Sequence, residues 1–459
     1  MMTLAQAHAL LPASRLVGDP GAWITRVHSD SRSVQPGDLF IALRGERFDG
    51  HAFLPAVRDA GAAGALAEQG LEEAGLPGLE VPDTLAALRQ LAGAWRQRMQ
   101  LPLAAVTGSN GKTTVTQMVA AMLRAWLGNA ALATQGNLNN HIGLPLTLLK
   151  LRHDDTTRHC AAVVELGMNH PGEVALLARL ALPSVAVVNN AQREHQEFLD
   201  GVEAVARENG SVIDALGLDG VVVIPVDDTY TPLWRAMAGV RRVIDFGFDA
   251  AAAVHGEATW RDGHWQLRLH TPLGGADARL AMAGRHHAKN ALAAVATALA
   301  LGAPLATCVE GLAAFKAVKG RSALRSITLQ GREVTLVDDS YNANPDSVAA
   351  AISVLGELPP PRWLVLGDMG EVGTQGPAFH TEAGTGALDG GIEHAWFVGP
   401  LGAHAAQAFG PTARHFASVP ELLAALPAAP AAESVLVKGS RFMAMERVVA
   451  ALEGSRHAA

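Results

Sequence analysis

Val106-Thr-Gly-Ser-Asn-Gly-Lys-Thr-Thr114 is the stretch that decides the reading of this chain. An apolar run, Leu103-Ala-Ala-Val106, leads into it and reads as a buried strand. Beyond it Val115, Val119, Met122 and Trp126 recur at helical spacing. Strand, glycine turn, Lys-Thr and helix together make a phosphate-binding loop credible. Glycines let backbone N–H groups turn inward around phosphate oxygens, and the helix N-terminus adds partial positive charge. Lys112 is placed to neutralise β/γ-phosphate charge and the Thr113 hydroxyl to ligate Mg²⁺. The general loop has a glycine five positions before Gly111, where Val106 stands here. Gly108 replaces it, so the loop is a shortened variant.

Working outward, the 459 residues predict two to four domains, and a hydrophobic fraction of 49% supplies large cores. The net charge of −8 shows no basic stripe, which argues against nucleic acid as the main partner. Cys160 and Cys308 lie in apolar runs and are expected to be reduced core residues of a cytosolic protein. The N-terminal residues lack the pattern of a signal peptide. The uncharged stretch from Ala291 to Val309 approaches membrane-span length, but Gly302-Ala303-Pro304 interrupts it, so a buried helix is expected.

Three units are expected. Residues 1–100 carry a strand at Asp38–Leu43 and helices at His51–Gly61 and Asp83–Met99. In residues 101–316 strands at Leu103–Thr107, Ala161–Leu166, Val185–Asn189, Val221–Pro225 and Val243–Phe246 alternate with helices, which argues a parallel sheet. Val254–Met282 reads instead as antiparallel hairpins turning at Asp262-Gly263 and Gly274-Gly275. Residues 317–459 resume the α/β alternation, with strands near Val334, Trp363, Ala395 and Val435.

Several polar clusters fall at strand ends, the usual ligand position in open α/β sheets. Glu165 closes the strand Ala161–Leu166 in Val163-Val-Glu-Leu-Gly-Met-Asn-His170, where a Mg²⁺ ligand belongs. His195 follows the strand at Val185–Asn189; metal or phosphate contact and an ordinary surface histidine remain evenly matched. Gly136-Asn-Leu-Asn-Asn-His-Ile-Gly143, with Asn137 and Asn139, suits either multi-point contact to a polar ligand or an Asx-rich turn. Asp338-Asp-Ser-Tyr-Asn-Ala-Asn-Pro345 exposes more donors and acceptors than one helix cap needs. Lys438-Gly-Ser-Arg441 places two cations where an anionic group would sit, or is a solvated pair at a strand end.

Thr107-Gly-Ser-Asn-Gly-Lys-Thr-Thr114 resembles the short phosphate loop of the Mur ligases, ATP-dependent amide-forming enzymes of peptidoglycan synthesis. Asp30-Ser-Arg32, Pro36-Gly-Asp-Leu-Phe40, Asp49-Gly-His51, Gly136-Asn-Leu-Asn-Asn140, Glu165-Leu-Gly-Met-Asn-His170, Leu366-Gly-Asp-Met-Gly-Glu371 and His380 extend the similarity over all three units. Tyr341-Asn-Ala-Asn344 with Lys438-Gly-Ser-Arg441 resembles the dipeptide-adding branch.

The resemblance implies an α/β chain of three domains: a small UDP-binding domain, a central phosphate-loop ATPase-like domain with a parallel sheet, and a Rossmann-like C-terminal domain. It implies transfer of phosphate from ATP to the carboxylate of a UDP-N-acetylmuramoyl tripeptide, then attack by the amine of D-alanyl-D-alanine. Thr107, Gly108, Ser109, Asn110, Gly111, Lys112 and Thr113 then hold ATP phosphates, and Asn290 and Arg321 contact nucleotide. Thr113, Glu165 and His195 hold Mg²⁺, with Lys112, Glu165 and His195 as the catalytic set. Ser31 and Arg32 grip the uridine diphosphate, while Asn137, Asn139, Asp339, Asn342, Asn344 and Lys438 meet substrate. A cytoplasmic bacterial enzyme is implied, monomeric and without a membrane span.

Two departures stand out. His286-His287 replaces the family's usual His-Asn, with Asn290 retained. Related ligases carry a carbamylated, metal-binding lysine in Arg-x-Lys-Gly; here Arg207-Glu-Asn-Gly210 puts Asn209 in its place. Glu208, or a water on the Asn209 carbonyl, is expected to compensate. Folylpolyglutamate synthases share the later domains but should lack the first 100 residues. The tripeptide-forming Mur ligases carry an Asp-Asn-Pro-Arg signature that is absent here. A phosphate-loop switch or motor leaves both flanking units unexplained.

Overall fold

The computed structural model describes residues 1–45, 48–154 and 157–454. The strand Leu103–Thr107 is buried at all five positions, because the sheet around it is covered on both faces. That sheet has nine strands. From one edge they run Gly274–Leu280, His264–Thr271, Val254–Arg261, Arg242–Gly247, Val221–Pro225, Val185–Val188, Leu103–Thr107, Ala161–Glu165 and Ala131–Ala133. Val254–Arg261 pairs in parallel with Arg242–Gly247, and the following hairpins extend the same sheet as an antiparallel edge. The second hairpin turns at Pro272-Leu273, because Thr271 pairs with Gly274 and both expected turn glycines lie within the strand. Helix Lys112–Leu127 buries Val115, Val119 and Met122 on one sheet face together with helix Arg285–Ala300, whereas Trp126 is only partly buried.

The register sets the site. Val106 lies opposite Glu165, and Thr107 opposite Val188, so the carboxyl ends of three adjacent strands open on one edge. The residues after each strand, the phosphate loop among them, therefore crowd together.

A five-stranded sheet builds the N-terminal unit, in the order Arg15–Val17, Gly78–Glu80, Gly64–Ala67, Asp38–Ile41, Arg26–His28. Helix Thr84–Arg98, opened by its Asp83 cap, belongs as much to the central unit as to this one. Its Trp95 Nε1 donates to Leu151 O at 3.0 Å, and its Arg96 Nε donates to Ala181 O at 2.7 Å. One hydrophobic core accordingly runs from Leu39 through Leu88 and Leu91 to Leu144 and Leu177.

The last unit is a six-stranded, mostly parallel sheet with helices on both faces. Its order is Ala323–Leu329, Arg332–Asp339, Ser434–Lys438, Arg362–Gly367, His394–Val398, Ala413–Phe416. Asp339 and Lys438 are register partners at the carboxyl ends of their strands.

The stretch from Ala291 to Val309 is divided between helices Arg285–Ala300 and Leu305–Ala314, and no helix among the described residues is long and apolar enough to cross a membrane. Cys308 is a buried free thiol, as its apolar neighbours imply; burial pushes its pKa up to about 12. Cys160 corrects the expectation: it is exposed, because it precedes the buried strand Ala161–Glu165 instead of lying within it.

Candidate active site

The phosphate loop depends on its glycines. Gly108 and Gly111 adopt φ values of 128° and 81°, which disfavour side chains. A Cβ on Gly111 would meet Asn189 Nδ2 and Asn290 Oδ1 at 2.7 Å. Helix Lys112–Leu127 begins without a side-chain cap, so its first N–H groups remain available to an anion. Below the loop the Thr107 hydroxyl donates to Val187 O at 2.9 Å and Asn209 O at 3.1 Å.

Lys112 folds back over its own loop. Its Nζ donates to the carbonyls of Gly108 and Ser109 and lies 3.3 Å from Glu194 Oε2. Glu194 is buried, and its other oxygen, Oε1, has no hydrogen-bond partner. Glu165 repeats the pattern: Oε1 accepts from Asn139 Nδ2 at 2.7 Å, while Oε2 is buried and unpartnered. A carboxylate oxygen left so in a folded protein is completed by water, an ion or a ligand.

His195 Nε2 lies 3.6 Å from Glu194 Oε2, and its Nδ1 lies 2.6 Å from Glu371 Oε2 in the third domain. The second contact has ion-pair distance without hydrogen-bond alignment. Proximity to His195 holds the Glu371 carboxyl below the ordinary carboxylate range.

A cleft of about 940 Å³ opens over this floor, between the central and third domains. Ser109 to Thr113, Asn137, Asn139, Glu165, His195, Asn290, Arg321, Asp339, Asn342, Asn344 and Lys438 all line it. Thr107 and Gly108 lie behind the loop. Asn344 has two tasks: it caps helix Pro345–Gly356, and it exchanges amide hydrogen bonds with Asn110 at 3.0 and 3.2 Å. The Lys438 cation is held by Asp339 Oδ2 at 2.6 Å and Asn342 O at 2.9 Å, so it is a fixed charge in the wall. Arg321 stacks over Tyr341 at 4.2 Å. His286 and His287 form part of the same wall; burial lowers the His286 pKa to about 4 and holds that of His287 well below 6.5.

Ser31 and Arg32 are not cleft residues. They form a short turn capped by Asp30, and the exposed Arg32 guanidinium pairs with that carboxylate at 2.7 Å.

The expectation for Glu208 is corrected. Its carboxylate accepts from Gly172 N and Val174 N at 2.9 Å each, at the start of helix Glu173–Ala181, so it is a helix cap. Asn209 is a strut: its Oδ1 accepts from Gly108 N at 3.0 Å and its carbonyl accepts from Thr107 Oγ1 at 3.1 Å. Sequence reading overlooked Glu194, Asn189, Asn190 and Arg193. The signal was a pair of asparagines directly after an all-apolar strand, followed by three consecutive ionisable side chains.

A lysine turned over a glycine loop acts on a phosphate only when an acceptor is presented to it. Here the facing wall belongs to another domain, so the molecule is a nucleotide-dependent enzyme of the kind completed by apposing two α/β domains. The chain belongs to the Mur ligase family. It matches the Mur ligase family catalytic domain over residues 24–96, the Mur ligase middle domain over 106–298 and the Mur ligase glutamate ligase domain over 321–441. It is 41% identical to the UDP-N-acetylmuramoyl-tripeptide–D-alanyl-D-alanine ligase of Escherichia coli K12, covering 94% of this chain and 95% of that one. Its fold matches MurF from Acinetobacter baumannii with a TM-score of 0.88 at 33% identity, covering 98% of both chains. MurF from Thermotoga maritima, solved in complex with ADP, shares the fold with a TM-score of 0.78 at 24% identity, covering 94% of this chain and 97% of that one.

Proposed function

We infer that this chain is an ATP-dependent ligase that joins D-alanyl-D-alanine to a UDP-N-acetylmuramoyl tripeptide, forming the pentapeptide precursor of peptidoglycan. The carrying observation is the cleft that sets Lys112 and Glu165 opposite Asp339, Asn344 and Lys438, in a chain similar throughout its length to enzymes of that name.

The γ-phosphoryl group passes to an oxygen of the tripeptide carboxylate, giving an acyl phosphate and ADP. The dipeptide amine then attacks the carbonyl carbon, phosphate departs, and the amine loses a proton as the amide forms. A carboxylate is a poor electrophile until one oxygen becomes a leaving group. Two anions meet in the first step, so the loop N–H groups and the Lys112 ammonium must screen them. Lys112 leaves the Gly108 and Ser109 carbonyls to do so. Thr107 to Thr113 hold the phosphates, and Asn290 and Arg321 hold the nucleoside side. Asn137, Asn139, Asp339, Asn342, Asn344 and Lys438 orient the acceptor and the dipeptide. The first domain, with Ser31 and Arg32, holds the uridine diphosphate.

Mg²⁺ fits the donors present. Glu165 Oε2 is buried and unpartnered, Thr113 lines the same floor, and His195 serves a second site. No three His, Cys, Asp or Glu side chains among the described residues converge on one point, which suits an ion that keeps several waters and takes phosphate oxygens. When bound, the ion supplies charge between the two reacting anions. A cytoplasmic monomer completes the reading.

Phosphate release measured with UDP-muramoyl dipeptide, tripeptide and pentapeptide, each with and without D-alanyl-D-alanine, tests this. Release is expected only with tripeptide plus dipeptide. Release without either would overturn the ligase reading in favour of a phosphate-loop switch.

A further inference from the structure

The segment 189–198 touches two parts of the molecule at once. On one side it braces the phosphate loop. Asn110 N donates to Asn190 Oδ1 at 2.9 Å, Asn110 Nδ2 to Gln192 Oε1 at 2.7 Å, and Gln192 N to Ser109 Oγ at 2.8 Å. On the other side it grips the third domain. Arg193 N donates to Asp346 Oδ2 at 2.7 Å, and its Nε and Nη2 donate to Asp346 Oδ1 at 3.0 and 2.6 Å. Nη1 and Nη2 also reach the two oxygens of Glu382 at 2.8 and 2.9 Å. Glu194 and His195 come next, directed at Lys112 and Glu371.

The backbone is constrained at this junction. His195 and Glu371 face each other across the domain boundary with φ of 50° and 56°. Non-glycine residues keep such values where the surroundings over-determine them.

We propose that Arg193 is a positioning residue: by clasping Asp346 and Glu382 it sets segment 190–195, and through it the phosphate loop and Lys112, when the third domain docks. The proposal rests on the ligase reading above. A guanidinium fork fixes direction as well as distance, which a lysine ammonium does not. Asp346 holds the backbone N–H and the side chain of the same residue, so the clasp has one register. The cation also lies over the Phe379 ring at 5.3 Å, and its side chain is only 28% exposed, which shields the pair from screening. Docking and loop geometry are thus coupled through one short run of backbone.

Arg193→Gln, Arg193→Lys and Asp346→Asn in the full chain test it. Hydrogen exchange of amides 108–112 and 190–197 without nucleotide, radius of gyration by scattering, and steady-state ligation are measured together. In Arg193→Gln and Asp346→Asn, exchange in both segments should rise about tenfold or more, the molecule should expand, and kcat should fall about tenfold with the KM for UDP-tripeptide unchanged. Arg193→Lys, which keeps the charge but loses the fork, should stay closer to Arg193→Gln than to wild type. Expansion with wild-type exchange at 108–112 would make the clasp a docking contact only and overturn the proposal, as would no change in any readout. Asp346→Asn decides the matter if Arg193→Gln fails to fold. Exchange is read without nucleotide, so a wild type that binds no ATP would sink the ligase reading and leave this proposal to the exchange data.

Discussion

Replacing Lys112 with alanine separates two roles that its ammonium holds together. The Nζ caps the carbonyls of Gly108 and Ser109 and neutralises Glu194 at 3.3 Å. The Glu194 side chain is 6% exposed and one of its oxygens already has no partner. Alanine strands this carboxylate, with His195 Nε2 at 3.6 Å. Breaking a fully buried pair costs about 3–5 kcal/mol. This one has a long contact at the floor of an open cleft, so about 2 kcal/mol is the better figure. In a domain of this size that lowers Tm by roughly 4–8 °C. Losing a preorganised cation at the phosphates should cost roughly 10²–10³ in kcat. The double variant Lys112→Ala/Glu194→Gln removes the stranded charge, so it should recover most of the lost Tm and none of the ligation. Thermal unfolding and phosphate release with UDP-tripeptide plus D-alanyl-D-alanine read the two roles separately. Ligation near the wild-type rate in either variant, or a double variant no more stable than the single, would refute this account of Lys112.

Deleting residues 1–82 removes the N-terminal part of the shared core and should lower Tm while sparing ADP binding and abolishing UDP-peptide binding, whereas deleting 1–100 also removes helix Thr84–Arg98 and should give aggregated protein. Calorimetric titration with both ligands checks this, and equal UDP-peptide affinity after the shorter deletion would give the first domain another job. His287 is buried and neutral with its pKa well below 6.5, so below that pH the unfolded chain takes up a proton that the fold excludes. Stability present at pH 7 should therefore fall as the pH drops below about 6.5, and His287→Asn should flatten the slope of Tm against pH. An unchanged slope would place the acid sensitivity elsewhere. Ligation should be the same in CO₂-depleted and bicarbonate-supplemented buffer, because the Asn209 amide cannot be carbamylated; stimulation by bicarbonate would reveal a carbamylated lysine elsewhere.

The central strands were legible because parallel strands buried on both faces read as unbroken apolar runs, as in Ala161–Glu165 and Val221–Pro225. In the two later sheets, strands of two kinds escaped. Ala131–Ala133 and Ala413–Phe416 lie at sheet edges, are short, and bury only one position each. Ala323–Leu329 is an antiparallel edge strand whose Ser326 and Thr328 face outward and whose Arg325 interrupts the apolar face to pair with Asp338. The cleft residues were legible because strand ends concentrate polar side chains. What linked them was not: whether Lys438 is free or paired depends on its register with Asp339, which lies 99 residues away. Arg193 read as one more charge in a polar loop, since neither Asp346 nor Glu382 is near it in sequence.

Asn209 and Glu194 show how the charge at the loop is arranged. Asn209 sits under the loop, where its neutral amide oxygen takes the Gly108 N–H without adding charge to the buried side of the helix N-terminus. A carboxylate there would take the same hydrogen bond but carry a buried charge, and burying one without a cation is expensive. The anionic partner of the site instead comes from above, as Glu194, where Lys112 offsets it and the cleft admits water and ligand. Glu165 supplies the second carboxylate from the neighbouring strand, already held by Asn139. Each keeps one buried oxygen unpartnered. Two such oxygens are costly in the free protein unless water or a ligand completes their bonding. With asparagine at position 209 the negative charge therefore stands on the open face of the loop, at Glu194 and Glu165, and not beneath it.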